Sequence, residues 1–161
     1  MPKERIEHAD AESFKDAMSH WASGVAVAAV RDPDGGRVYA TTATAFASAS
    51  LKPPLVLLGL GAGAQVLPFL DRHARFGISI LSASQRRYAT IFADPFPVGA
   101  TPFAASGTPL LPNALTGLEC SVHDLVPAGD HRLVLGLVLA VRPGPAEPPL
   151  IHYRRAYTPL V

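Results

Sequence analysis

Short apolar stretches separated by glycine- and proline-rich turns run the length of this chain. That punctuation excludes long helices and favours hairpins. Asp32-Pro33-Asp34-Gly35-Gly36 is a strong turn between Val25–Val30 and Arg37–Thr42, which reads as a β-hairpin. Thr44–Ser50 and Leu55–Leu60 read as strands on either side of Pro53-Pro54. Arg75–Leu81 follows as another strand. Leu118–Val126 and His131–Arg142 form a long hairpin around Pro127-Ala128-Gly129-Asp130. Setting Pro127 against Asp130 puts His131 opposite Val126 and His123 opposite Val134. Leu150–Tyr153 and Tyr157–Leu160 close the chain as short strands.

Helical spacing is confined to three short pieces. Phe14, Ala17, Met18, Trp21 and Ala22 share one face, with Asp10 or Ser13 as cap and Gly24 as stop. A second piece covers 65–72. A third runs from Ser82 or Ser84 to Ala93 and presents Tyr88, Ile91 and Phe92. Residues 94–112 read as a long surface loop, a feature often tied to function. The helices are too few and too short for a doubly wound sheet. The pattern predicts a mainly β fold, an antiparallel barrel with a few short helices.

A chain of 161 residues fits one domain, 1–161, with 1–10 as a flexible tail. It is 48% hydrophobic and 17% charged, so it is globular, with apolar surface left for an oligomer interface. A net charge of +1 gives no electrostatic case for nucleic acid. No uninterrupted apolar run reaches the ~18 residues of a membrane span. The opening MPKERIEHAD is polar and lacks the apolar core of a signal peptide. One cysteine, Cys120, rules out an internal disulfide and suits the cytoplasm.

The chemistry concentrates in Thr41–Ala64, TTATAFASASLKPPLVLLGLGAGA. Small and hydroxyl side chains let a flat ligand approach the backbone, and free amides at a glycine-rich exit attract phosphate. Gly59 to Ala64 formally fits the dinucleotide pattern G-x-G-x-x-A. The flanking hairpins, Pro68 and a next strand without an acidic tip speak against that fold. Metal ligation is not expected: the six histidines show no ligand spacing, and Cys120 has no partner cysteine. No G-x-S-x-G or P-loop lysine is present. His131, directly after Gly129-Asp130, stands where a strand begins at a barrel mouth, and an imidazole there suits proton handling or anion contact. The alternative is a surface turn histidine. Arg86-Arg87 and Arg154-Arg155 are phosphate-contact candidates or solvated surface.

Taken in order, the motifs resemble the flavin reductase-like proteins of the FMN-binding split-barrel fold. The landmarks are FKDAMSHWASGVAV from Phe14, FASASLKPPLV from Phe46 and FGISIL from Phe76. They continue with Leu118-Glu119-Cys120, Gly129-Asp130-His131 and PLIHYRRAY from Pro149. The resemblance spans 14–160. It implies a split β-barrel homodimer in which NADH or NADPH reduces FMN, or an exchangeable flavin such as FAD, for a partner monooxygenase. It further implies that Thr42, Ala43, Thr44, Ala45, Ser48 and Tyr153 line the flavin groove. The phosphate would rest on Gly61, Ala62, Gly63 and Gln65, and His131 would stand beside flavin and nicotinamide as the catalytic residue. The chain departs from the family pattern at Thr44, Ala45 and Ser79, where Asn, Ser and Asn are common. Its phosphate loop carries no hydroxyl. These departures set up a second reading, a split barrel whose cleft has weakened or lost flavin and serves another ligand or cofactor-independent chemistry.

Overall fold

The computed structural model describes residues 7–97 and 102–160. The N-terminal segment read as a tail lies partly outside these residues. Helix α1 (Ala11–Ser19) starts at Asp10, whose carboxylate accepts from the Glu12 and Ser13 amides. It stops at His20. Gly24 is not the helix stop read from the sequence; it belongs to β1 (Ser23–Gly24). His20 itself closes the helix, its amide bonding back to Ala17 and the next amide, of Trp21, to Met18.

A seven-stranded antiparallel sheet forms the body. In spatial order it runs Val38–Ala43 (β3), Ala26–Arg31 (β2), Arg75–Ile80 (β6), Thr116–Ala128 (β7), His131–Pro143 (β8), Pro54–Gly61 (β5) and Phe46–Leu51 (β4). A small sheet pairs Leu150–Tyr153 (β9) with β1 and with Ala156–Pro159 (β10). Both edges of the large sheet, β3 and β4, are consecutive in sequence but share no ladder. That seam is the split in the barrel.

Period-2 alternation divides the strands into two faces. One face meets in a single interior cluster that includes Val30, Ala43, Leu58, Phe76, Ile78, Cys120, Val122 and Val134. Residues from six strands thus fill one barrel core. The outer face of β2, with Val25, Val27 and Ala29, packs under helix α2 (Arg86–Ala93) through Ala89 and Phe92. Of the two serines offered as its start, Ser82 forms a capping box, with Gln85 returning to the Ser82 amide.

Three expectations change. Residues 65–72 give only a single 3₁₀ turn, Leu67–Phe69, because Pro68 removes an amide. The 94–112 loop is not simply a surface crossing. Phe103 and Leu111 are buried in the outer cluster, and the Leu111 amide donates to Ser79 Oγ at 2.9 Å. The β7–β8 register also differs. Ala128 pairs with His131, and Pro127 with Arg132, so His131 does not face Val126. Gly129 has φ of +62°, and it occupies the first central position of a two-residue turn, where glycine is favoured. Val134 faces Leu125, and His123 sits at a bulge between Val122 and Asp124.

Candidate flavin site

The glycine-rich exit of β5 and the Gly129-Asp130-His131 turn meet. Gly61 pairs with His131, and the Ala62 amide donates to the Asp130 carbonyl at 2.9 Å. His131 Nδ1 lies 2.7 Å from Asp130 Oδ1, so the carboxylate orients the ring and leaves Nε2 outward. The His131 hydrogen bond, and then its charge, hold the Asp130 carboxyl below the ordinary aspartate range. Asp130 therefore remains an acceptor through neutral pH.

The Thr44-Ala45 step reaches the same place by another route. The Gly59 amide donates to the Ala45 carbonyl at 2.7 Å, and a Cβ at Gly59 would come within 2.9 Å of the Ala45 Cβ. Gly59 is thus required by close packing of the seam. It lies two residues, about 7 Å, before Gly61 along the strand. Gly61 and Gly63 differ from it. A Cβ at either would meet no atom within 4 Å, and neither has a positive φ. Neither packing nor backbone conformation calls for glycine at these two positions. What they leave is open space above the backbone. Beside it, the amides of Gly63 and Gln65 have no acceptor among the described residues. A cluster of free amides next to empty space fits a phosphate. The Ala62 and Ala64 amides are already used, by Asp130 and by the Gly61 carbonyl.

The remaining predicted groove residues separate. Thr42 turns its hydroxyl to the Ala89 carbonyl of α2 at 2.8 Å, so only its backbone is left for a ligand. Ala43 is 5% exposed and points into the barrel core. Ser48 is exposed on β4 opposite Val56, five residues or about 16 Å along β5 from Gly61. Tyr153 lies on β9 of the small sheet, with Arg154 over its ring at 5.7 Å. The structure joins His131 to Gly61, Ala62, Gly63 and Gln65, and sets Ala45 against Gly59 two residues before that turn; Ser48 and Tyr153 stand apart from them within one chain. Ser79 is buried and holds Leu111, so its hydroxyl is a structural partner of the 94–112 segment.

A cavity of about 530 Å³ opens beside this cradle. Gln65 lines it, together with Arg31, Arg37, Tyr39, Tyr88 and Phe103. Sequence reading passed over both arginines and Tyr39. Only the adjacency of Arg37 to the Asp-Gly-Gly turn marked them, and turns commonly carry solvated charge.

The flavin reductase like domain model matches residues 18–160. The chain belongs to the flavin reductase like family. It is 41% identical to the reductase component of 4-hydroxyphenylacetate 3-monooxygenase from Thermus thermophilus, over 93% of this chain and 97% of that protein. It is 44% identical to NADH:riboflavin 5'-phosphate oxidoreductase of Streptomyces pristinaespiralis, over 91% of this chain and 86% of that one. The structure of the NADH:FAD oxidoreductase SgcE6 of Streptomyces globisporus superposes with a TM-score of 0.83 at 29% identity, covering 99% of this chain and 98% of that one. The split β-barrel, with its antiparallel sheets and few helices, is the architecture the resemblance implied.

Proposed function

We propose that this flavin reductase-like chain, one domain over 1–161, is an NADH-dependent flavin reductase that supplies reduced flavin to a partner monooxygenase. The observation that carries the reading is the open glycine cradle at Gly61 and Gly63, edged by free amides and faced by His131. A bound flavin supplies the two-electron acceptor for the nicotinamide hydride. The chain's own residues bind and orient. The Gly63 and Gln65 amides hold the phosphate. The backbone at Thr44-Ala45, where side chains are small, admits a flat ring system close to the seam. Asp130 fixes the His131 imidazole, which presents Nε2 to the groove and can hold a proton there or contact an anion. FMN fits the cradle as a monophosphate, with FAD as the alternative substrate. Among the described residues no atom stands within 4 Å of where a Cβ at Gly61 or Gly63 would sit, which suits release of the flavin after reduction.

We place the active form as a homodimer. Helix α1 buries none of its residues, and Phe14, Met18 and Trp21 are 60%, 49% and 73% exposed. Leu139 and Val141 on β8 add 44% and 55% exposed apolar side chains. Such faces are the material of a standard interface, about 800 Å² per partner. A dimer is also the means by which Ser48 or Tyr153 of one copy could reach the cradle of another. A cytoplasmic setting agrees with the single buried thiol, and no described helix is long and apolar enough to cross a membrane.

The test is steady-state NADH oxidation by purified protein with and without FMN. Oxidation that rises with FMN and saturates supports the reading. NADH oxidation that ignores both FMN and FAD would leave the second reading, a cleft for another ligand, as the better one.

A further inference from the structure

The cavity beside the cradle has a composition of its own. Among the described residues its lining includes no Asp or Glu, yet two guanidiniums open onto it. Arg31 is anchored by three carbonyls: Nε donates to Gly107 at 3.2 Å, Nη1 to Gly36 at 2.9 Å and Nη2 to Ala104 at 2.7 Å. Its charge is held in place and meets no carboxylate. The Arg37 guanidinium makes neither a hydrogen bond nor an ion pair among the described residues; it lies 5.0 Å from the Tyr39 ring centroid. Asp32, next to Arg31 in sequence, turns its carboxylate back to the Asp34 amide of its own hairpin turn.

Four aromatic rings, Tyr39, Tyr88, Phe92 and Phe103, stand in the lining among small and aliphatic residues. Tyr39 stacks on Phe69 at 4.5 Å, Tyr88 lies 6.3 Å from Phe92, and Phe92 lies 5.6 Å from Phe103. Rings that already stack in the wall offer faces and edges to a further ring. The volume, about 530 Å³, is within the range of small-molecule sites, roughly 300–1,000 Å³. Gln65 belongs to both places: its amide edges the cradle and its residue lines the cavity.

We propose that this cavity is the subsite for the adenylate half of a dinucleotide, FAD or NADH, bound beside the cradle. Arg31 and Arg37 neutralise the second phosphate, and the base stacks among Tyr39, Tyr88 and Phe103. The proposal rests on the flavin reductase reading and adds to it. An FMN molecule ends at its phosphate and leaves the cavity free. FAD and NADH both carry an adenylate, and either could fill it.

Two measurements decide the matter. First, AMP is titrated into the protein by calorimetry, which requires no turnover. Wild type should bind it. Arg37→Glu should weaken it at least tenfold, while Lys52→Glu, the same charge change on the exposed β4–β5 turn, should not. Absent AMP binding, or equal loss in both variants, overturns the proposal. Second, KM is measured for FMN, FAD and NADH. In Arg37→Glu, a rise of about tenfold for FAD with FMN unchanged assigns the cavity to the flavin dinucleotide. A rise for NADH, whichever flavin accepts, assigns it to the nicotinamide dinucleotide. If AMP binding falls but all three KM values hold, the cavity is not a substrate subsite and the proposal fails. A protein that oxidises no NADH would overturn the reductase reading, while the AMP titration would still judge the cavity.

Discussion

Replacing Gly63 by valine separates what the fold needs from what the ligand needs. A Cβ at Gly63 meets no protein atom within 4 Å, and its φ is not positive. The folded state therefore accepts a side chain without collision or backbone strain. The unfolded chain, in contrast, loses freedom. Removing a glycine at a compatible position stabilises by about 0.4–1 kcal/mol. For a chain of this size that raises Tm by about 1–4 °C. Binding should move the other way. The valine occupies the space over the free Gly63 amide and denies that amide to a phosphate. A hydrogen bond to a charged group contributes about 1.5–3 kcal/mol. The expected loss is about ten- to a hundredfold in flavin affinity. Thermal unfolding with and without FMN reads both effects at once. The variant should melt higher than wild type when free of flavin and gain less from added FMN. If Gly63→Val melts lower without flavin, the open-space reading of this glycine is wrong. If it binds FMN as tightly as wild type, the phosphate does not rest there.

Four further outcomes follow from the same geometry. Arg154 and Arg155 form the β9–β10 turn at φ of 48° and 62°, a conformation that suits Asn-Gly; the double change Arg154→Asn and Arg155→Gly should raise stability by about 1 kcal/mol in denaturant titration, and a drop would show that these guanidiniums hold the turn. Cys120 is fully buried and its thiol is pushed up to about 12 by burial, so thiol reagents at neutral pH should label it only in denaturant. Asp130 is held down by His131, so its contribution is complete above the ordinary aspartate value and fades as pH falls through its lower folded value; carboxyl NMR should show it titrating at higher pH in His131→Gln, and no change would break the pair. Met18→Glu with Trp21→Glu should convert a dimer to a monomer in light scattering if α1 forms the interface, and an unaltered dimer would move the interface elsewhere.

Strand existence and order of turns were legible because alternation and Gly/Pro punctuation are local signals. The β9 strand falls where the sequence puts it, at Leu150–Tyr153. The His131 position was legible as the start of a strand, but not its partner: two-residue turns at Ala128-Gly129 and at Gly129-Asp130 both fit the sequence, and only the Gly129 backbone decides between them. Ala43 shows a different gap. Tyr39, Thr41 and Ala43 share one face of β3, so alternation places Ala43 with the core-facing Tyr39; reading the segment as a uniform groove lining overlooked that. The arginine cavity was out of reach. Arg31 is fixed by carbonyls 73 and 76 residues away in sequence, and no local pattern encodes a contact of that span.

Anaerobic single-turnover mixing tests the reductase assignment most directly. The protein with one equivalent of FMN is mixed with NADH while nicotinamide and flavin absorbance are followed together. The account predicts that both bands fall at one rate, one flavin reduced per NADH consumed, much faster than free FMN with NADH, and that Gly63→Val slows this at limiting flavin. Flavin absorbance that stays constant in the presence of protein and excess NADH would contradict it.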